Sequence, residues 1–393
     1  MSKNVLLRRR GRLTSAGFTL IELLIGLALG VLVAAAATSV FIMNARVREA
    51  TDSLSRLQEG ARVAFELIAR DVRQTGGFSC GREAATGDSG SRSDRADYRF
   101  SNGLATANAA WWSTWTAALP TTNARGGFRG YGPSNATPGT GFGTATGNRI
   151  AGTSAIDVRY AATQEFDGAF LAPAAIATNP ARIALNAPAT GAGAHGFVTG
   201  DLVIVCANAL APVGSGTPAV QGQDQRDFVP WVALAQVSVS NSELTLAYTG
   251  LTPGNRNATL WDPAPVWAPS ARAQPRVRVA RYVPVRWYVG ANARNGRSLF
   301  RETITAGNSP RVIREEMIEG VTDLRIDYAV DGGADFVAAG AIVDWAAVTA
   351  VRMTVAMDTA QGGVGTEGQR VSADFDALER NFTNVIAIRS RLP

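Results

Sequence analysis

The sequence predicts an α+β chain: a long N-terminal helix, membrane-spanning in its first half, packed on an antiparallel β-rich head. Three observations lead there. An apolar run follows a basic start and continues to Met43, apolar residues then recur at three- and four-residue spacing from Val47 to Val72, and beyond about residue 150 apolar and polar residues alternate. The 393 residues, 46% of them hydrophobic, suffice for real cores. With 41 Gly and 17 Pro, the head favours loops and strands over a helical bundle. The chain divides into a leader (1–17), a transmembrane helix segment (18–43), an amphipathic continuation (44–75), a loop-rich insertion (76–150) and the β-rich head (151–393).

The leader holds Lys3, Arg8, Arg9, Arg10 and Arg12 and no acid. Taking these five from the 38 basic side chains leaves 33 against 32 acidic ones, so the overall excess of base does not imply a nucleic-acid partner. The run after it is long enough to span a bilayer, which needs about 20 apolar residues. Arginines before the run and none inside it place the leader in the cytoplasm and the head in the periplasm or beyond. An ordinary secretory signal also starts basic and apolar, but this run is longer. It also carries Glu22, whose charge would cost about 2.5–3.5 kcal/mol at mid-bilayer and less near the interface.

Past Met43 the helix continues into water, for Val47, Ala50, Leu54, Leu57, Ala61, Ala64, Ile68 and Val72 form one stripe. Glu66 and Arg70 at i,i+4 support its exposed face, Gly60 weakens it by about 1 kcal/mol, and Gly76-Gly77 ends it. Gly26 and Gly30 form a small-xxx-small pair that suits close helix packing, or is ordinary tolerance of glycine in a membrane helix. Trp111, Trp112 and Trp115 read as the closure of a small core in preference to a contact patch.

In the head, strand alternation over Val237–Val239, Leu244–Leu246 and Val277–Val289 predicts a hairpin across Asn241-Ser242 and a long ribbon. Ser309-Pro310 reads as a helix start leading to Glu319. Leu324, Ile326, Tyr328 and Val330, then Val351, Met353, Val355 and Met357, predict an antiparallel sheet with one buried face, and 384–389 a last strand. Asp331 to Asp335 reads as a turn between strands, not a calcium loop.

Gly17-Phe18-Thr19-Leu20-Ile21-Glu22 resembles the class III signal of type IV pilins and type II secretion pseudopilins. The resemblance implies that a prepilin peptidase cuts after Gly17 and N-methylates Phe18. It also implies that Glu22 neutralises the Phe18 amine of a neighbouring subunit during assembly, and pairing with an ammonium does recover much of the cost of a buried carboxylate. A carboxylate snorkelling to the interface is the alternative. The tail from Val321 to Met357, with Leu57 to Arg62, Ala69 to Arg73 and the Gly-Gly-Phe-Ser-Cys ending at Cys80, is similar to PilW-type minor pilins, while the middle of the chain departs freely. A type IV pilin-like fold is then expected, as is a minor pilin that helps initiate and cap a type IV pilus serving twitching motility, adhesion or DNA uptake. Its implied partners are other minor pilins, the major pilin, the inner membrane and a large adhesin at the pilus tip, and it would move from the inner membrane to the tip of the pilus. The rivals are a J-type minor pseudopilin of type II secretion and a pilin-anchored head that binds or hydrolyses carbohydrate.

An oxidising compartment would let Cys80 and Cys206 form a disulfide, with two separate buried thiols as the alternative. No enzymatic constellation, metal site or cofactor is expected. The sole histidine, His195, lies among glycines, no histidine pair or Cys-x-x-Cys occurs, and Gly139-Thr140-Gly141-Phe142-Gly143 lacks the lysine of a phosphate-binding loop.

Overall fold

The computed structural model describes residues 19–77, 99–102, 104, 110–113, 127–171, 182–208, 230–246, 250–255, 276–330, 333, 335–358 and 379–391. The chain divides into two units, Met1–Arg56 and Leu57–Pro393.

One helix, α1 (Leu20–Gln74), runs through the first unit into the second. In the first unit its residues are exposed from Leu20 to Arg48 and uncharged from 23 to 45. Those 23 residues extend about 35 Å as a helix, long and apolar enough to cross a membrane.

In the second unit, Leu57, Ala61, Ala64, Ile68 and Val72 are buried as one stripe, each about one turn from the last. The predicted stripe is thus buried only from Leu57 onward; Val47 is exposed. Gly60 lies against Met357, whose Cε would be 2.8 Å from a Cβ placed there and would have to shift to admit one. Glu66 pairs with Arg62 at 3.1 Å instead of with Arg70, which turns toward Asp71 at 3.6 Å. The helix stops where Gly76 takes a positive φ of 62° and donates its N–H to the Arg159 carbonyl.

Fifteen strands follow among the described residues. They are β1 (Arg99–Asn102), β2 (Phe128–Tyr131), β3 (Ala155–Leu171), β4 (Arg182–Leu185), β5 (Leu202–Asn208), β6 (Pro230–Gln236), β7 (Ser238–Ser240), β8 (Glu243–Thr245), β9 (Arg276–Ala291), β10 (Arg297–Ile304), β11 (Val312–Glu319), β12 (Val321–Val330), β13 (Phe336–Ala338), β14 (Val348–Asp358) and β15 (Glu379–Ala387). The larger sheet runs β1-β6-β5-β9-β3-β4-β8-β7, with β10 and then β11 added beside β9, and β2 beside β3. The smaller sheet is ordered β13-β12-β14-β15. Only β1 with β6 is parallel among these pairings. The α+β, pilin-like architecture is therefore as predicted, while β1 and β2 fall in the stretch expected to be loop. At four residues each, they are too short to show alternation.

The main core joins the helix stripe to both sheets through Ile156, Trp287, Leu324, Tyr328, Val351 and Met353. Phe128 and Trp345 each meet Tyr328 edge-on in it and are tilted to one another, with centroids 4.9 to 6.0 Å apart. Gly130 makes room for them, because a Cβ there would lie 1.9 Å from the Tyr328 hydroxyl.

The helix predicted from Ser309-Pro310 to Glu319 is instead β11, paired antiparallel with β10. Tertiary pairing overrides the capping signal. Cross-strand partners Glu302 and Arg314 meet at 2.7 Å, Arg301 and Glu315 at 3.6 Å, and Val312 and Ile313 are β-branched. Gly320, at φ 80°, then turns the chain into β12.

Candidate assembly site

In the first unit, Thr19 and Glu22 bracket the start of α1. The Thr19 N–H and its hydroxyl both donate to Glu22 Oε2, at 3.0 and 2.9 Å, and the Glu22 N–H is 3.3 Å from Thr19 Oγ1. This is a reciprocal capping box: Thr at the N-cap, Glu three residues on, two orphan N–H groups satisfied. The bonds leave Oε1 of an exposed carboxylate for another donor. The T-x-x-E pattern before an apolar run was a readable signal for this cap, which the reading of Glu22 as an intermolecular partner passed over. Gly17 and Phe18 lie outside the described residues. Gly26 and Gly30 would meet nothing within 4 Å if each carried a Cβ, so that helix face is open.

In the second unit, Asp71 fastens the helix to the larger sheet. It is fully buried, three residues beyond Ile68 on the apolar stripe. Its Oδ1 accepts from the Tyr160 hydroxyl at 3.1 Å; its Oδ2 accepts from Trp287 Nε1 at 2.9 Å and from Arg301 Nε at 3.4 Å. Burial, then the Asp71 carboxylate, pushes the Tyr160 phenol well up from its ordinary range.

A second polar cluster lies inside the larger sheet. Arg286 grips Asp157 with two bonds of 2.6 and 3.0 Å and lies 3.7 Å from Glu302, and all three side chains are fully buried. Burial, the largest single influence, opposes the Arg286 charge, but Asp157, Tyr131 and Glu302 together outweigh it and raise the guanidinium pKa. Thr140 donates to Glu302 at 2.9 Å, which ties the Gly139–Gly143 loop to β10. Arg149 clamps that region through the carbonyls of Asn135, Gly132 and Thr153; burial, then Arg286, lowers it to about 10. Asp157 and Glu302 are each engaged by an arginine and closed to solvent, so this pair builds structure, whereas acid–base work requires a carboxylate that reaches its substrate.

His195 sits in a loop, as expected, yet is buried. Its Nδ1 accepts the Phe197 N–H at 3.0 Å, so Nε2 carries the proton and donates to the Asn241 carbonyl at 2.9 Å. Both nitrogens are used, and the ring stacks on Phe197. Trp111 and Trp112 close a small core with Leu104, Ile204 and Leu234, as predicted; Trp115 lies outside the described residues. Cys206, on β5, is buried in that same core and is not a free thiol. Cys80 lies outside the described residues, as do Asp331, Gly332 and Ala334, which stand in sequence between the antiparallel β12 and β13.

Residues 286–391, from the end of β9 through β15, match the family model described as type IV pilus-assembly protein W. Residues 12–38 match the prokaryotic N-terminal methylation motif. Neither the curated proteins nor the solved structures yield a match to the chain. Arg286, Trp287 and Arg301, which bind Asp157 and Asp71, fall in the first match, and Glu22 falls in the second. The methylation motif implies processing by a prepilin peptidase and assembly with other pilins, and with the apolar helix it fits membrane anchoring and association with a pilus. Both matches point to a structural protein in place of an enzyme, and the marks at the two ends of the chain are those of a type IV pilus-related minor pilin similar to PilW.

Proposed function

We propose that this protein helps to initiate assembly of a type IV pilus and then caps the fibre at its tip. The observation that carries the reading is Glu22, the one charged residue from 19 to 45, on an exposed helix otherwise suited to a bilayer. In the inner membrane, with the head in the periplasm, cleavage after Gly17 frees the Phe18 amine. Glu22 of one subunit then pairs with the Phe18 amine of the next, which sets the axial register of neighbouring helices while the apolar faces leave lipid for each other. Other minor pilins and the major pilin are the partners in this step, and a large tip adhesin is the partner at the cell surface. Deleting the gene should abolish surface pili and twitching. If pili persist while secretion of folded enzymes fails, the J-type pseudopilin reading replaces this one.

Processing has its own test. A Gly17→Arg chain should remain an uncut precursor in the inner membrane, which intact-mass analysis reads directly. A variant chain that still begins at Phe18 defeats the assigned site.

We also propose that Cys206 pairs with Cys80. Support comes from Cys206 not being a free thiol and from Cys80 being the one other cysteine in the sequence. Closing a loop of this length contributes about 4–5 kcal/mol in the chain-entropy model. Non-reducing peptide mapping should recover a single cross-linked fragment; two alkylatable thiols in native protein reject the pair.

A further inference from the structure

We propose that the free edge of β15 and the groove beside it take an extended segment from the head of another pilin subunit, added as a fifth strand to the smaller sheet. This rests on the minor-pilin reading and names where a partner docks. Among the described residues β15 ends the sheet order and pairs only with β14. Ile388 donates its N–H to the Thr349 carbonyl. Because antiparallel bonding alternates along a strand, the N–H groups of Asn381, Thr383 and Val385 point away from β14. The edge carries no Pro or Lys from 379 to 387, the residues that commonly blunt an exposed strand.

Along that edge runs a groove of about 600 Å³, bounded on its other side by α1 from Gln58 to Arg73. That wall is about 22 Å long at the helical rise, room for an extended segment of about six residues. Its floor is apolar, because Phe65 and Phe382 are half-buried there and pack on the main core. Its charge is one-sided. Arg62 is paired with Glu66, while Arg73 has no ionic or hydrogen-bonding partner among the described residues. The occupant therefore presents apolar side chains at alternate positions toward Phe65 and Phe382, and a carboxylate to Arg73. A helix laid in the groove would cover the outward N–H groups without satisfying them, whereas a strand bonds them.

The test uses the full-length chain in its own membranes, with a photo-crosslinking residue at Asn384 and mass spectrometry of the crosslinked peptides. The expected product joins Asn384 to the head of a different pilin subunit. Thr383→Pro removes an outward N–H and spares the β14 ladder, so crosslinking should fall about tenfold, while Thr383→Ala leaves it unchanged. If Thr383→Pro fails to accumulate, Val385→Pro makes the same test farther along the edge. A crosslink to residues 359–378 of the same chain, to a second copy, or to lipid overturns the proposal, as does a yield that both proline variants leave intact. Recovery of other pilins with the chain separates the two readings. If they co-purify and Asn384 still captures no pilin head, the groove proposal alone fails; if none co-purifies with the unsubstituted chain, the minor-pilin reading fails with it.

Discussion

Replacing Asp71 with Ala is expected to destabilise the Leu57–Pro393 unit by about 3–5 kcal/mol, because it strands the three donors that now converge on one buried carboxylate. Trp287 Nε1 and the Tyr160 hydroxyl are buried with it and have no water to fall back on, and Arg301 is only 16% exposed. The expected order is wild type, then Asp71→Asn, then Asp71→Ala. The amide keeps the shape and one acceptor oxygen, but turns an NH2 group toward a donor. Urea unfolding of detergent-solubilised full-length protein, followed by tryptophan fluorescence, reads the effect, since Trp287 is one of the partners lost. Tyr160 supplies a second readout. Its phenol is held up by burial and then by Asp71, so in the Ala variant it should titrate lower than in wild type. An Ala variant within about 1 kcal/mol of wild type, with an unmoved phenol, would show that the apolar stripe alone holds the helix to the sheets.

Asp71 also shows where reading the sequence stops. The stripe from Leu57 to Val72 was legible because helix periodicity is local, and β9, β12 and β14 were legible because alternation is local too. Asp71 bonds Trp287 across 216 residues, and Arg286 meets Asp157 across 129. No local pattern announces such partners; a carboxylate on an apolar stripe was the available hint. The failure at β11 has the same origin. Ser309-Pro310 is a fair local signal for a helix, and it loses to cross-strand pairing with β10 that only the folded chain brings about. At the helix start the situation is reversed. The Thr19–Glu22 capping box is wholly local and could be read from four residues, while the intermolecular role of Glu22 came from resemblance. The two roles are compatible, since the cap engages Oε2 and leaves Oε1.

That compatibility makes Glu22→Gln the sharpest test of assembly. Gln serves a capping box as well as Glu does, so its side-chain oxygen can still accept from Thr19 and the first turn of α1 should be preserved. Only the charge is lost, and on insertion scales its removal should ease entry into the bilayer by about 1 kcal/mol or more. A defect cannot then be blamed on a frayed helix or on poor insertion. The expected outcome is a stable, membrane-inserted, correctly cut protein that recovers partner pilins at least about tenfold less well at matched expression and fails to restore pili in a deletion strain, because the ammonium of a neighbouring Phe18 has lost its counter-charge. Glu22→Ala separates the two functions of the side chain. It removes the cap as well as the charge, and should add a helix-start cost of about 1 kcal/mol to the same assembly defect. The comparison is made on partner recovery and not on pili alone. Full recovery and full piliation by the Gln variant would confine Glu22 to capping its own helix, and would remove the observation on which the assembly reading stands.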